Sequence, residues 1–279
     1  MAEKGTGLFL GDTEITAIQN DKFVFANPFS EAVGPTYQFR SDAYSSFIKL
    51  AIPGTQFSTL GMSNFYDDVS AGVRGSGTNL TANPSGSSAD FNALAQTEFA
   101  SEDYTTSVFL KDAGGWGTLS SSELGFGTNN FVVEGYVYMT EAWAKPPYWK
   151  VAIGGIPEDD RMSFGFPASG STDLRGRLII NNTQYISSNQ QIAYNLNQWY
   201  HVAWVRSGSN LYFYFNGTQY SCGNTSQSFN VGTMAIMRGL SDLNDGTAGA
   251  WQDFKVYIGT DKGYTTSTIT APESIIEKV

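Results

Sequence analysis

The chain has 279 residues but only one histidine and one cysteine, so few side chains could serve as base, nucleophile or soft metal ligand. His201 stands in NQWYHVAWVRSGSNLYFYFNG, Asn197 to Gly217, among tryptophans, tyrosines and phenylalanines. Imidazole does acid–base work when a carboxylate orients it. Folded as a hairpin, this stretch surrounds His201 with phenols and an alanine and offers no orienting acid, so His201 is expected to be structural. Cys222, in QYSCGN, has no basic neighbour to lower its thiol pKa and is expected to be inert. A lone cysteine also excludes an intrachain disulfide and any cysteine-based zinc cluster. Retaining glycoside cleavage needs two carboxyl groups about 5–5.5 Å apart. The pair Glu158 and Asp160 in GIPEDDR has a suitable spacing but falls in an expected turn, and no expected strand of the body carries two carboxylates at i and i+2. The chain therefore reads as a binding or structural protein and not as an enzyme.

Two other chemistries remain open. Asp242 and Asp245 in LSDLNDG, together with Glu158, Asp159 and Asp160, could contribute oxygens to Ca²⁺, which takes six to eight of them, or could simply be solvated acidic loops. Aromatic residues are 14% of the chain. Trp143, Tyr148 and Trp149, in the proline-broken loop EAWAKPPYWK, and Tyr212 with Tyr214 on the second face of the hairpin, are candidates to stack on a sugar ring or to be covered by a neighbouring subunit.

The elements that must position these residues are strands. Thirty glycines, with many Asn, Ser and Thr, punctuate short β-branched and aromatic runs. Strands are predicted at FVVEGYVYM (131–139), WKVAIGG (149–155), RMSFGF (161–166), GRLIINN (176–182), WYHVAWVR (199–206), LYFYFNG (211–217), TMAIMRG (233–239) and WQDFKVYIG (251–259). The loop Ser207-Gly208-Ser209-Asn210 pairs Arg206 with Leu211. Side chains alternate across a strand, so Tyr200, Val202 and Trp204 share one face with Leu211, Phe213 and Phe215, and that face must point into a core. His201, Ala203 and Val205 share the other with Tyr212 and Tyr214, a mixed face suited to half-solvation or to contact with an arm or tail. One short stretch, Ser87 to Phe99, has helical spacing.

An arm, residues 1–37, contains LFLGDTEITAI, which can make one hairpin. A body runs from 38 to 259, and a polar tail from 260 to 279 is expected to dock or to stay loose. The start of the chain has no basic, apolar secretory leader, and no stretch is long enough to span a membrane, so synthesis in a cytoplasm is expected. A net charge of -10 argues against a nucleic-acid partner, because phosphate binding needs clustered Lys and Arg.

Three phrases carry a family resemblance. ELGFGTNNFVVEGYVYMTEAW resembles the opening core strand of laminin-G-like, concanavalin A-like domains, NQWYHVAWVRSGSNLYFYFNGTQ their Trp-x-His-Val hairpin, and AWQDFKVYIG their closing strand, with Asp253 in the place of an acid expected to hold a local turn. SDAYSSFIKLAIPG and LFLGDTEITAI resemble segments of virion proteins of tailed bacteriophages, particularly of marine and cyanobacterial hosts. The resemblance implies an all-β fold, a two-sheet antiparallel jelly-roll sandwich. It further implies a virion component on a tail, fibre or capsid surface, with other virion proteins and copies of itself as partners and host-surface polysaccharide as a ligand. A free lectin-like module and a glycan hydrolase are the alternatives. Fold alone does not choose among them.

Overall fold

The protein is described from a computed structural model. It covers residues 37–54, 124–139, 149–155, 161–165, 175–187, 192–230, 233–236 and 249–279, together with short strands between 8 and 24 and between 80 and 120. Two compact units are distinguished: Met1–Thr36 with Lys278–Val279, and Tyr37–Glu277. In the first unit, β1 (Leu8–Leu10) pairs with β2 (Thr13–Ile15) as the sequence leads one to expect, and a second hairpin joins β3 (Ala17–Gln19) to β4 (Lys22–Val24).

The second unit is built almost wholly of antiparallel strands: β5 (Tyr37–Phe39), β6 (Ile48–Ile52), β7 (Leu80–Asn83), β8 (Ala93–Leu94), β9 (Ser107–Leu110), β10 (Trp116–Ser120), β11 (Phe131–Met139), β12 (Trp149–Gly155), β13 (Arg161–Gly165), β14 (Arg175–Ile180), β15 (Thr183–Ile186), β16 (Trp199–Ser207), β17 (Asn210–Phe215), β18 (Thr218–Asn224), β19 (Thr233–Ile236), β20 (Gly249–Ile258) and β21 (Ile276–Lys278). A 3₁₀ turn spans Ser45–Phe47. The helical spacing at Ser87–Phe99 does not give a helix at its centre. Ala93 and Leu94 are extended and pair with Val108 and Ser107, because sheet contacts outweigh a two-turn pattern. The rest of that stretch lies outside the described residues.

One sheet runs β15-β14-β13-β12-β19-β10-β7. The other has eight strands in the order β18-β17-β16-β11-β20-β9-β8, with β6 also paired to β20. The core lies between them, where Met162, Leu178 and Ile180 of the first sheet meet Val133, Trp204, Phe213 and Val256 of the second. The β16–β17 hairpin has the register read from the sequence: Arg206 opposite Leu211, Trp204 opposite Phe213 and Val202 opposite Phe215, around the Gly208-Ser209 turn. Its six inward side chains are all buried in this core, each contributing about 1.5–3 kcal/mol by leaving water.

The outer face of the eight-stranded sheet is also covered. Val132, Ala203, Val205, Tyr214 and Tyr257 form a second apolar cluster with Ile48 on one side and Tyr264, Ile275 and Ile276 of the C-terminal segment on the other. The segment is pinned along its length. Its residues 267–269 bond to β18 and to the turn before it, through Gln219 N–H to Ser267 O and Ile269 N–H to Gly217 O, and β21 pairs with β5.

Candidate functional site beneath the C-terminal segment

Strand β11 alternates cleanly: Phe131, Val133 and Val137 face the core, and Val132, Glu134 and Tyr136 face outward. On β20 the alternation is reset by a bulge. Glu134 lies opposite Lys255 and Tyr136 opposite Gln252, so two residues of β11 span three of β20, and Asp253 takes a left-handed φ of 53°. The bulge lets Trp251 and Phe254 both reach the core and leaves Lys255 and Tyr257 outward. Asp253 was expected to hold a local turn. It sits instead at this bulge within the strand, and its Oδ2 accepts from the Ile275 N–H of the C-terminal segment at 3.3 Å.

These outward residues converge on Glu134, which has no exposed surface. Its Oε1 accepts from Lys262 Nζ at 2.7 Å, and its Oε2 accepts from Tyr264 O–H at 3.0 Å and from His201 Nε2 at 3.2 Å. Lys255 Nζ stands 3.8 Å from Oε1. His201 does have a carboxylate neighbour, which corrects the sequence reading. The acid comes from β11, on the side of β16 away from the β17 hairpin partner, and lies diagonal to the Tyr136–His201 pair. Burial raises the carboxyl pKa of Glu134. Lys262, Lys255 and the His201 contact outweigh it and hold the group well below the usual carboxylate range. Burial lowers the imidazole pKa of His201 more than Glu134 raises it, so the ring is neutral. Nε2 therefore carries the proton that Glu134 accepts, and Nδ1, buried, has no hydrogen-bond partner. Lys262 also lies 4.3 Å from the centroid of the Tyr257 ring.

With Glu134, His201 and Lys255 at most 3% exposed and both carboxylate oxygens of Glu134 engaged, the constellation acts as an electrostatic clasp. The sheet supplies Glu134, His201 and Lys255, and the C-terminal segment supplies Lys262 and Tyr264. Further bonds reinforce the junction: Tyr136 O–H donates to Pro272 O at 2.6 Å, Tyr214 O–H to Thr266 O at 2.8 Å, and Ser207 O–H to Asp261 Oδ2 at 2.6 Å. Beside the clasp lies a cleft of about 530 Å³ between the 39–48 segment and residues 270–275, with Lys255, Tyr257, Lys262 and Tyr264 in its wall.

Of the residues singled out in the sequence for sugar contact, Tyr212 is half-buried and Tyr214 is fully buried. The Tyr214 ring is covered by the C-terminal segment, where it packs against Tyr264 with ring centroids 5.7 Å apart, so its face is not open to a ligand. Trp149 opens strand β12. Trp143 and Tyr148, and the acids Glu158, Asp159, Asp160, Asp242 and Asp245, lie outside the described residues. Among the described residues no group of three or more His, Cys, Asp or Glu could hold a metal ion. Cys222 is buried, and burial pushes its thiol pKa up, away from reactivity.

The two packed antiparallel sheets have a counterpart at the level of families. The family model described as the concanavalin A-like lectin/glucanases superfamily matches residues 111–260. The chain belongs to this family. The match contains Glu134, His201 and Lys255 but stops before Lys262 and Tyr264 and begins after Asp42, so the clasp joins the family's sheet to segments outside it. No curated protein matches the chain. Among solved structures, domain 4 of AbnA, a GH43 extracellular arabinanase from Geobacillus stearothermophilus in complex with arabinotriose, superposes with a TM-score of 0.52 at 13% identity, over 76% of this chain and 92% of that one. The binding domain of Paraclostridial Mosquitocidal Protein 1 gives 0.52 at 11% identity, over 77% of this chain and 49% of that one. The botulinum neurotoxin serotype C1 binding domain gives 0.51 at 13%, over 77% and 49%. The chain thus spans about half the length of the two toxin domains. At these identities the likeness concerns the fold.

Proposed function

We propose that the protein is a structural component of a tailed-bacteriophage particle whose sandwich is displayed outward and binds host-surface carbohydrate. The observation that carries a binding role over a catalytic one is the state of Glu134. The one acid–imidazole constellation among the described residues is closed under the C-terminal segment and committed to holding it. Membership of a lectin and glucanase family supports a sugar ligand. The separate N-terminal unit supports an anchoring arm, and the phrases SDAYSSFIKLAIPG and LFLGDTEITAI support a virion setting. Single lectin-type sites are often near millimolar, about -4 kcal/mol, and many copies on one particle would multiply that by avidity.

The experiment is purification of particles through a density gradient with quantification of the protein, for the full chain and for a chain lacking residues 1–36. A fixed stoichiometry on intact particles that is lost on deleting the arm is the expected result. A protein that never bands with particles but binds glycans in a multivalent array is a free lectin. Release of reducing ends from host polysaccharide would overturn the non-catalytic reading.

A further inference from the structure

The cleft beside the clasp has a composition that its structural duties do not use up. Its walls come from the 39–48 segment, from β20 and from residues 270–275. The volume, about 530 Å³, lies within the roughly 300–1,000 Å³ of small-ligand pockets. Lys255 is 3% exposed, yet among the described residues its ammonium has Glu273 O at 3.4 Å and Glu134 Oε1 at 3.8 Å, both long. An ammonium has three donors and forms its good bonds at about 2.7–2.9 Å, so this group, in a residue that lines the cleft, still has bonding capacity. Tyr44, Tyr257, Tyr264 and Asp42 line the same cleft. Asp42 Oδ2 accepts from Tyr257 O–H at 3.2 Å, and its side chain is 39% exposed.

The charges near the cleft decide between ligand classes. Arg40, Lys255 and Lys262 are positive. Asp42, Glu134, Asp253 and Glu273 are negative, and all seven sit in a chain of net charge -10. An anion entering there gains no net attraction. A neutral polyol can supply hydroxyl oxygens to Lys255, donate hydroxyl protons to Asp42, and lay its C–H face on tyrosine rings. We infer that the cleft between the 39–48 segment and the C-terminal segment is a binding site for a neutral sugar unit, with Lys255 and Asp42 as its polar contacts. This gives the carbohydrate-binding reading above a location and rests on it. Most of the site is formed by segments on either side of the family match, so it is a property of this chain.

The test is isothermal titration of the full chain with neutral oligosaccharides (hexose- and pentose-based) and with uronic-acid oligosaccharides, repeated on Ala43→Trp and Thr270→Trp. Both substituted residues are exposed in the cleft wall, and neither touches Glu134, so the variants fill the cleft without unlocking the clasp. Lys255→Met adds a variant that removes the ammonium, with circular dichroism to verify its fold. The expected result is millimolar binding of a neutral sugar that weakens at least tenfold in both tryptophan variants. Neutral-sugar binding unchanged in both variants overturns this site and leaves the carbohydrate-binding function standing. Binding of the uronic-acid series alone overturns the neutral assignment. No binding of either series overturns both the site and the sugar-binding function.

Discussion

Replacing Glu134 by Gln preserves shape and leaves an acceptor for one of its neighbours but removes the fully buried negative charge that Lys262 and Lys255 share, their side chains being 5% and 4% exposed. Leaving a buried ion without its partner costs about 3–5 kcal/mol. Asp42, whose Oδ2 is 3.9 Å from Lys262 Nζ, offsets some of this and places the expected loss near the lower end, about 3 kcal/mol. The loss should appear first where the clasp acts, in detachment of the C-terminal segment. At roughly 1.4 kcal/mol per tenfold change, the segment's opening equilibrium should rise about a hundredfold. Amide hydrogen exchange reads this directly. The N–H groups of Ile269 and Ile275, bonded to Gly217 O and Asp253 Oδ2, should exchange about a hundred times faster in Glu134→Gln, while amides of the β16–β17 core change less. Exchange at Ile269 and Ile275 within about twofold of the native protein would refute the clasp.

Two further outcomes follow from the same geometry. His201 is the chain's only histidine and its pKa is lowered, so the unfolded chain takes up the proton first as pH falls: stability is full above the ordinary imidazole value of 6.5 and declines below it, by up to about 1.4 kcal/mol per pH unit. Glu134, also lowered, loses its contribution only as pH falls below the ordinary 4.5 and through its folded value, so urea unfolding between pH 7.5 and 5 isolates the histidine. His201→Gln, which keeps a donor toward Glu134, should flatten the profile in that window; an unchanged slope would contradict a neutral buried ring. Gly176→Ala would drive a Cβ into the Phe213 ring and should destabilise by about 1–3 kcal/mol or more through overpacking, whereas Gly208→Ala, with open space but a φ of 59°, should cost about 1 kcal/mol, as thermal denaturation of the two variants can compare.

The hairpin was legible because both of its determinants are local. Gly208-Ser209 sets the register, and alternation then assigns every side chain from Tyr200 to Phe215 to a face. The clasp was not legible from that hairpin because its partners are 67 to 130 residues apart, and no turn fixes which strand lies on the far side of His201. A signal was nonetheless present. Glu134 and Lys255 each interrupt an apolar strand at an outward position, and a buried sheet face tolerates such residues only as partners. The C-terminal segment hid its docking because its buried residues, Tyr264, Ile275 and Ile276, follow no period; they meet the sheet through irregular backbone pinned by Pro272, Thr266 and Asp261. At Ser87–Phe99 the local pattern misled because strand pairing at Ala93–Leu94 is a tertiary choice.

The ribbon made by β5 and β21 carries an implication for topology. Arg40 N–H bonds to Ile275 O, and Gln38 Nε2 to Glu277 Oε1, so the polypeptide enters and leaves the sandwich side by side. A few linking residues could close that gap and make the sandwich circular. It could then be cut anew at the exposed Asn181-Asn182 turn without altering which strands are neighbours, and cargo fused at the relocated ends would project from the opposite sheet.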